Sequence, residues 1–368
     1  MRSRTLASAL ALLAAGALLA PVAAHAQGAR DGGADIPRMP DGRPDLSGTY
    51  DLATLTPFTR PAEYGDRLTL SDEEAGSIAE ARAREVAAGA RESDPNRDAP
   101  PEGGDGSVGA AGNVGGYNDF WIARGEGAFQ LDGKWRTSIL VDPPNGQLPP
   151  LTEEARARQA ERGRSFRRQN DGEAWWIDEE SGPYDDPEIR GLAERCLLGF
   201  GSTAGPPMLP NYFYNNLKRI VQTEHHVMIL AEMIHDARII RIADEHDPPE
   251  LRKWVGDSVG RWEGDTLVVE TVHFGDTPSF SRGSASMRVV ERFSRIDDET
   301  IRYHFTVEDP TVWTAPFSGE MPWPATEDRV YEYACHEGNY ALGNILRGAR
   351  LLEAEALARR PAGEPTRP

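Results

Sequence analysis

Residues 218–242 read KRIVQTEHHVMILAEMIHDARIIRI, and this stretch, with the chain that follows it, decides the fold class. It opens a series of eight short segments rich in β-branched and aromatic residues: KRIVQT (218–223), HVMILAEM (226–233), ARIIRI (237–242), VGRW (259–262), TLVVETVHF (266–274), MRVVERFSRI (287–296), TIRYHFTV (300–307) and RVYEYAC (329–335). Turn signals such as Glu263-Gly264-Asp265 separate the segments, with no helical crossover between them. The pattern predicts a mainly β protein, an antiparallel meander that closes into a lipocalin-like barrel able to enclose one small ligand.

The chain around the meander predicts accessory elements rather than an independent second domain. Residues 27–200 are interpreted as a partly helical elaboration, with a first strand at 45–50 and a Gly-rich loop at 89–116. Helix-start signals predict helices over 72–88, 153–168 and 187–198. The barrel is assigned to residues 201–340, and a C-terminal helix and tail to residues 341–368.

The first 26 residues have the organisation of a cleavable signal peptide. Arg2 and Arg4 precede an apolar stretch from residue 6 to residue 24, and Ala24-His25-Ala26 supplies a small-x-small cleavage site. The alternative is a membrane anchor, which the Ala-rich composition and the cleavage site disfavour. The sequence predicts a periplasmic or secreted protein with no membrane insertion after cleavage.

Composition limits the partners of the protein. The chain has 59 acidic and 40 basic side chains and a formal charge of −19, so binding to nucleic acid or to anionic membranes is disfavoured. A neutral or weakly charged small molecule is the predicted partner. The sequence has no GxSxG, HExxH or Walker motif and no GxGxxG placed after a strand, so neither a cofactor nor a metal is predicted.

The chain has two cysteines, Cys196 and Cys335. In an exported protein an even pair indicates a disulfide. This bridge would connect the predicted helix ending near residue 198 to the last barrel strand.

A polar cluster interrupts two strongly apolar strands at Glu232-Met233-Ile234-His235-Asp236-Ala237-Arg238. At a barrel rim, His235 can act as a proton shuttle oriented by Asp236 or by a buried glutamate, while Arg238 binds an anionic or oxyanionic group. The alternative is a hairpin turn with a surface salt bridge.

Further acid–base candidates follow from position. His336 and Glu337 come directly after Cys335, where a disulfide would fix the backbone, although an ordinary strand-to-helix cap explains them nearly as well. Glu270 and Glu291 alternate with apolar residues along their strands. A carboxylate on an apolar face needs a partner or a raised pKa, so both are candidates for a functional pocket. The alternative is a structural buried ion pair.

Ligand-binding candidates are aromatic or polar residues expected near the barrel mouth. Aromatic rings there can stack on a ligand ring, or simply plug the barrel base. Two of these aromatic residues follow the Gly-rich loop and can form a lid. The candidates are Tyr117, Trp121, Asn216, Arg238, Trp262, Arg282 and Trp313. The acidic loop 244–247 can bind a cation, but a solvated loop explains it more simply.

Several long strings resemble a large family of uncharacterised exported bacterial proteins. They are MPDGRPDLSG (39–48), ERCL (194–197), YNN (214–216), EMIHDARII (232–240), GDS (256–258) with GRWEGDTL (260–267), and YACHEGNY (333–340). The resemblance covers most of the chain after the signal peptide and implies export. The meander also resembles lipocalin-type barrels, a class that includes ligand carriers as well as hydratases, lyases and cyclases, so the fold leaves the function open.

Two functions fit these observations. The first is an exported small-molecule enzyme that uses general acid–base chemistry in the barrel pocket, as a lyase, hydratase, isomerase or hydrolase. The alternative is a non-catalytic periplasmic ligand-binding or carrier protein of lipocalin type. The enzyme requires at least one of His235, Glu270, Glu291 and His336 to reach a cavity, whereas the carrier does not. A third possibility, a scaffold for an outer-membrane partner, requires a large exposed apolar patch.

Overall fold

The computed structural model describes residues 36–90, 96, 98, 122–166, 172–200, 203–211, 213–276, 278, 280 and 282–360. The predicted signal peptide, nearly all of the Gly-rich loop, and the lid candidates Tyr117 and Trp121 lie outside these residues. All described residues belong to one compact unit. Within them, no helix combines the length and the apolar content that crossing a bilayer requires.

The described chain is mainly β, and its principal element is one curled sheet of ten strands. The strands are β1 (Gly48–Asp51), β2 (Gln130–Leu131), β3 (Lys134–Trp135), β4 (Leu140–Asp142), β5 (Leu217–Gln222), β6 (His226–Ala231), β7 (Ala237–Ile242), β8 (Asp257–Glu263), β9 (Thr266–Val272), β10 (Arg288–Arg295), β11 (Thr300–Glu308) and β12 (Phe317–Pro324). Their order in the sheet is β1-β5-β6-β7-β8-β9-β10-β11-β12-β4, and β2 and β3 form a separate hairpin.

Most of the predicted meander is confirmed. Seven of the eight quoted segments overlap the strands β5 to β11, and the predicted first strand overlaps β1. The prediction is wrong for residues 329–335, which form no strand. The Tyr331 backbone N–H donates to the Glu232 carboxylate (3.1 Å), so it is not available to a neighbouring strand. The strand beside β11 is β12, whose buried residues Phe317, Met321 and Trp323 alternate with half-buried ones.

One strand pair departs from the predicted antiparallel pattern. β7 and β8 are parallel, and residues 243–256 carry the chain back to the end of the sheet at which β7 starts. A parallel pair needs such a long connection, because the chain must return to the end of the sheet at which the first strand starts. The remaining pairs of the ten-stranded sheet are antiparallel.

The curl of the sheet brings its β1 side close to the end of β12. Among the described residues, Tyr50 forms one isolated bridge with Ala325, and the Thr326 N–H donates to the Thr49 carbonyl oxygen at 2.9 Å. β4 pairs with β12 at Ser318 and Gly319. Closure into a lipocalin-like barrel stays a prediction, since these contacts do not form a continuous ladder between β1 and β12.

The described residues include three α-helices outside the sheet: α1 (Asp72–Gly89), α2 (Glu153–Phe166) and α3 (Tyr340–Arg359). The predicted capping box is present in α1, where the Glu74 N–H donates to the Ser71 hydroxyl and the Ser71 N–H donates to the Glu74 carboxylate. The predicted helix over 187–198 is wrong. Only a 3-10 turn at Pro187–Ile189 forms, and Cys196 has a left-handed φ of 57°, which a regular helix does not contain.

The concave side of the sheet is filled by the protein's own side chains. Strand residues such as Phe293, Tyr303 and Trp323 are fully buried there, with ring centroids 5.0 to 5.5 Å apart. Residues 203–211, just before β5, belong to the same core through Ala204 and Met208, and the Met208 N–H donates to the Tyr303 hydroxyl at 2.8 Å. These rings and this segment occupy the region where the sequence predicted a ligand.

Candidate functional site

The turn between β6 and β7 carries the predicted proton shuttle. Ile234 and His235 both have left-handed φ values, 61° and 47°, and His235 is exposed. The His235 side chain makes no hydrogen bond or ion pair with any part of the chain that the structure describes. Asp236 accepts a hydrogen bond from the backbone N–H of Ala204 (3.1 Å), so its carboxylate holds segment 203–211 and does not orient the imidazole. The catalytic roles of His235 and Asp236 stay predictions.

Arg238 and Glu291 bind each other inside the sheet. The guanidinium contacts both carboxylate oxygens, and the two side chains are 1% and 0% exposed. Arg238 also donates to the hydroxyls of Ser258 (2.8 Å) and Thr271 (2.9 Å), and Tyr303 donates to the carboxylate at 2.9 Å. Burial and the Glu291 charge raise the pKa of Tyr303 well above its usual value. This geometry matches the alternative of a structural buried ion pair, and neither charge reaches a described cavity.

Glu270 lies on the outer face of the sheet. Leu267, Val269 and Thr271 face the core on the same strand, so Glu270 points the other way and binds Arg288 at 2.7 Å. This hydrogen bond lowers the pKa of Glu270, which keeps the carboxylate ionised. An ionised carboxylate paired on the outer surface has no contact with a cavity described here.

The disulfide between Cys196 and Cys335 is confirmed, with a Cα–Cα distance of 5.8 Å. The neighbouring candidates His336 and Glu337 are exposed, and their side chains make no hydrogen bond within the described ranges. Asn339 is the residue that caps α3, since its side chain accepts from the Leu342 N–H and donates to the Glu194 carbonyl oxygen. The acid–base role of His336 and Glu337 stays a prediction.

Two ligand-binding candidates have structural contacts. Asn216 is buried and accepts a hydrogen bond from the Asn211 N–H (2.6 Å), while its amide donates to the Ala123 carbonyl oxygen (2.8 Å). It thus fixes the end of the segment that fills the sheet. Trp262 is half-buried against the main core, which matches the alternative of a plug.

Arg282 and Trp313 come together. They line one cavity of about 770 Å³, which we call the end cavity because the connections β9–β10 and β11–β12 at one end of the sheet form its walls. The start of α2 and the loop before it complete the lining, with Leu148, Leu151 and Arg158. These elements are far apart in sequence, so the pattern of residues along individual strands could not predict that they line one cavity.

Asp309 fixes the two connections that form the end cavity. The carboxylate is 2% exposed and accepts from the backbone N–H of Ser284 (2.7 Å) and from the Thr311 hydroxyl (2.7 Å). The Ser284 hydroxyl donates to it as well (3.1 Å). Asp309 is not among the predicted site residues. The signal in the sequence is an Asp followed two residues later by Thr, a pattern in which the Asp side chain organises its own turn.

The end cavity combines an apolar base with mixed charges. Trp313 is 2% exposed, its ring packs edge-on against Phe317 at 5.0 Å, and its Nε1 has no hydrogen-bond partner in the described chain. Arg158 donates to the Thr311 carbonyl oxygen (2.9 Å), whereas the exposed Arg282 guanidinium has no partner within the described residues. Asp276 and Glu154 supply two carboxylates to the lining, which balance the two arginines.

A second cavity, of about 890 Å³, adjoins the disulfide. Both cysteines line it, with the start of α3 and residues 331–335. We call it the disulfide cavity. None of its lining residues lines the end cavity.

The acidic loop 244–247 is part of an ion-pair network. Its Asp247 carboxylate lies 3.0 Å from Lys253 and 3.2 Å from Arg241. The buried Asp257, which follows the loop, binds the same two cations and the His246 Nδ1 at 3.0 Å each. The described residues contain no group of three His, Cys, Asp or Glu side chains arranged to hold a metal ion.

Comparison with protein-family models, with curated proteins and with solved structures gives no match to this chain.

Proposed function

We propose that this protein is a non-catalytic binding protein for a small, weakly charged molecule and that the end cavity is its binding site. One observation carries the proposal: Arg282 and Trp313, from two separate connections, line the same cavity. Ligand sites in proteins are mostly apolar concave surfaces with a few converging polar groups that fix orientation. The end cavity has this composition.

The lining suggests which ligand fits. An apolar ring can lie against Trp313, Leu148 and Leu151, while Arg282, which has no partner among the described residues, binds a carboxylate or another oxyanion. Because Asp276 and Glu154 offset the two arginines, a ligand with a single negative charge fits better than a polyanion. Asp309 keeps the two connections in place before the ligand arrives, which reduces the entropic cost of binding.

General acid–base catalysis has less support than binding. His235 and His336 are exposed and line neither of the two cavities, and Glu270 and Glu291 are held by arginines. A catalytic base must lie within hydrogen-bond reach of the proton that it removes from the bound substrate. Among the described residues, the candidates for that role are separated from the cavities that could hold a substrate.

An exported location is part of the proposal. A disulfide persists in oxidising compartments such as the periplasm or the extracellular space. Together with the predicted signal peptide at residues 1–26, this supports a periplasmic or secreted binding protein.

Titration calorimetry with sodium benzoate tests the proposal, because benzoate combines one ring with one carboxylate. We expect saturable binding to the wild type, and an affinity at least about tenfold lower for Arg282→Ala, since a hydrogen bond to a charged group contributes about 1.5–3 kcal/mol. Arg347→Ala is the matched control, because Arg347 is an exposed arginine on α3 that lines neither cavity. Equal affinities of the two variants for benzoate, or no binding to the wild type, would contradict the proposed site.

A further inference from the structure

The disulfide cavity has a different chemistry from the end cavity, and its ligand goes beyond the proposed function. Its aromatic residues are Phe200, Tyr214, Tyr331 and Tyr333. Phe200 and Tyr331 are 71% and 70% exposed, so two large rings face open space at this site. Tyr214 and Tyr333 stack with centroids 6.5 Å apart and an interplanar angle of 23°. Burial, with a contribution from Tyr214, raises the pKa of Tyr333 to about 12, so the phenol stays neutral at physiological pH.

The charged side chains that line the disulfide cavity are all acidic. They are Glu194, Glu232 and Glu332, and the described part of the lining contains no lysine, arginine or histidine. Two of the three carboxylates interact with a basic side chain that lies outside the lining. Arg190 binds Glu194 at 2.8 Å, and the buried Lys218 interacts electrostatically with Glu232.

Glu332 has no such cation. Its exposed carboxylate forms no ion pair with any residue that the structure describes. The cavity therefore carries one negative charge without a compensating positive charge, beside four aromatic rings. The face of an aromatic ring attracts a cation, and the attraction is largest where water is partly excluded.

We propose that the disulfide cavity binds a monovalent organic cation, an ammonium compound whose alkyl groups lie against the tyrosine rings and whose charge lies near Glu332. A hard metal ion does not fit, because the described residues do not converge three carboxylate or imidazole ligands there. An anion does not fit either, since the described lining residues include no basic side chain.

The disulfide contributes to this site by joining two of its walls. Cys196 belongs to the turns that carry Glu194, and Cys335 follows directly on the segment that carries Tyr331, Glu332 and Tyr333. The bond connects residues that are 139 positions apart in sequence. It therefore fixes the aromatic and acidic groups of one wall relative to those of the other.

Two probes of the same shape test the proposal: choline chloride and its neutral analogue 3,3-dimethyl-1-butanol. Titration calorimetry of the wild-type protein is expected to give an affinity for choline about tenfold or more above that for the neutral alcohol. Tyr333→Leu is expected to lose most of this preference. Equal affinities for the two probes, or binding of neither, would overturn the proposal.

Two charge variants test whether the Glu332 carboxylate interacts with the charge of choline. Glu332→Gln is expected to lower the affinity for choline about fivefold and to leave that for the neutral alcohol unchanged. Glu327→Gln is the matched control, because Glu327 is an exposed glutamate in the same segment that does not line the cavity. If both variants weaken choline binding equally, the general negative charge of the protein is responsible and the proposed role of Glu332 is wrong.

Discussion

The burial of Lys218 lowers the stability of the folded protein. Its side chain is 0% exposed on the core face of β5, and its Nζ has no hydrogen-bond partner within the described chain. Burial lowers the pKa of Lys218 to about 8, although the charges of Asp236 and Glu232 oppose the shift. The pKa of lysine in an unfolded chain is about 10.4. Between about pH 8 and pH 10 the unfolded state therefore binds more protons than the folded state. In this range Lys218 makes the free energy of unfolding rise with pH.

Replacing Lys218 by methionine should therefore stabilise the protein near neutral pH. We expect Lys218→Met to raise the free energy of unfolding by about 1–3 kcal/mol at pH 7, with a gain that shrinks as the pH approaches 10. Urea denaturation at both pH values measures the change. Lys134→Met, at an exposed lysine, should change stability by less than about 0.5 kcal/mol. A destabilised Lys218→Met variant, or a gain that does not depend on pH, would show that the ammonium is compensated in the folded protein.

At the scale of elements, the connection between β7 and β8 depends on Asp257. Its carboxylate is 2% exposed and accepts hydrogen bonds from the Asp247 N–H and from Lys253, Arg241 and His246. Burial alone would raise the pKa of Asp257, but the Asp247 N–H, Lys253 and His246 outweigh it and hold this pKa well below its usual range. A depressed carboxyl pKa stabilises the folded state above about pH 4, and the stabilisation is lost as the pH falls towards the folded pKa.

Asp257→Asn is expected to cost about 1.5–3 kcal/mol of stability at pH 7, because it removes an ionised acceptor from several buried donors. The difference in stability between the wild type and this variant should become smaller as the pH falls below about 4. Thermal unfolding followed by circular dichroism from pH 7 to pH 2.5 checks both statements. Asp244→Asn, at an exposed position of the same connection, should behave as the wild type does. A difference that stays constant with pH would mean that Asp257 acts through packing and not through its charge.

The elements show which physical signals a single sequence contains. Short segments rich in β-branched and aromatic residues predicted β5 to β11, and β11 buries every second residue against the core. β12 was missed because Gly319, Pro322 and Pro324 suppress the strand signal, although Phe317, Met321 and Trp323 still alternate on its core face. Residues 203–211 gave no periodic pattern, because their burial follows from the space inside the sheet and not from a regular element of their own.

At the scale of the whole molecule, the filled interior decides where a ligand can bind. The sequence predicted β-branched and aromatic strands, but whether the rings on their core faces leave a hollow depends on packing between distant segments. Tyr303, Met208 and Trp323 meet there only after the chain has folded. For the same reason Arg282 and Trp313 could be named as separate candidates, whereas their common cavity and the supporting role of Asp309 required the folded structure.

The central claim is that ligands bind at the end of the sheet and not inside it. Two tryptophans report on these regions directly, because Trp313 lines the end cavity, Trp323 lies in the interior, and neither indole N–H has a partner within the described residues. Nuclear magnetic resonance of the 15N-labelled protein can follow both indole signals, assigned by Trp→Phe variants, during titration with sodium benzoate. We predict a saturable shift of the Trp313 signal and an unchanged Trp323 signal. A shift of Trp323 without one of Trp313 would place the ligand inside the sheet and contradict the account.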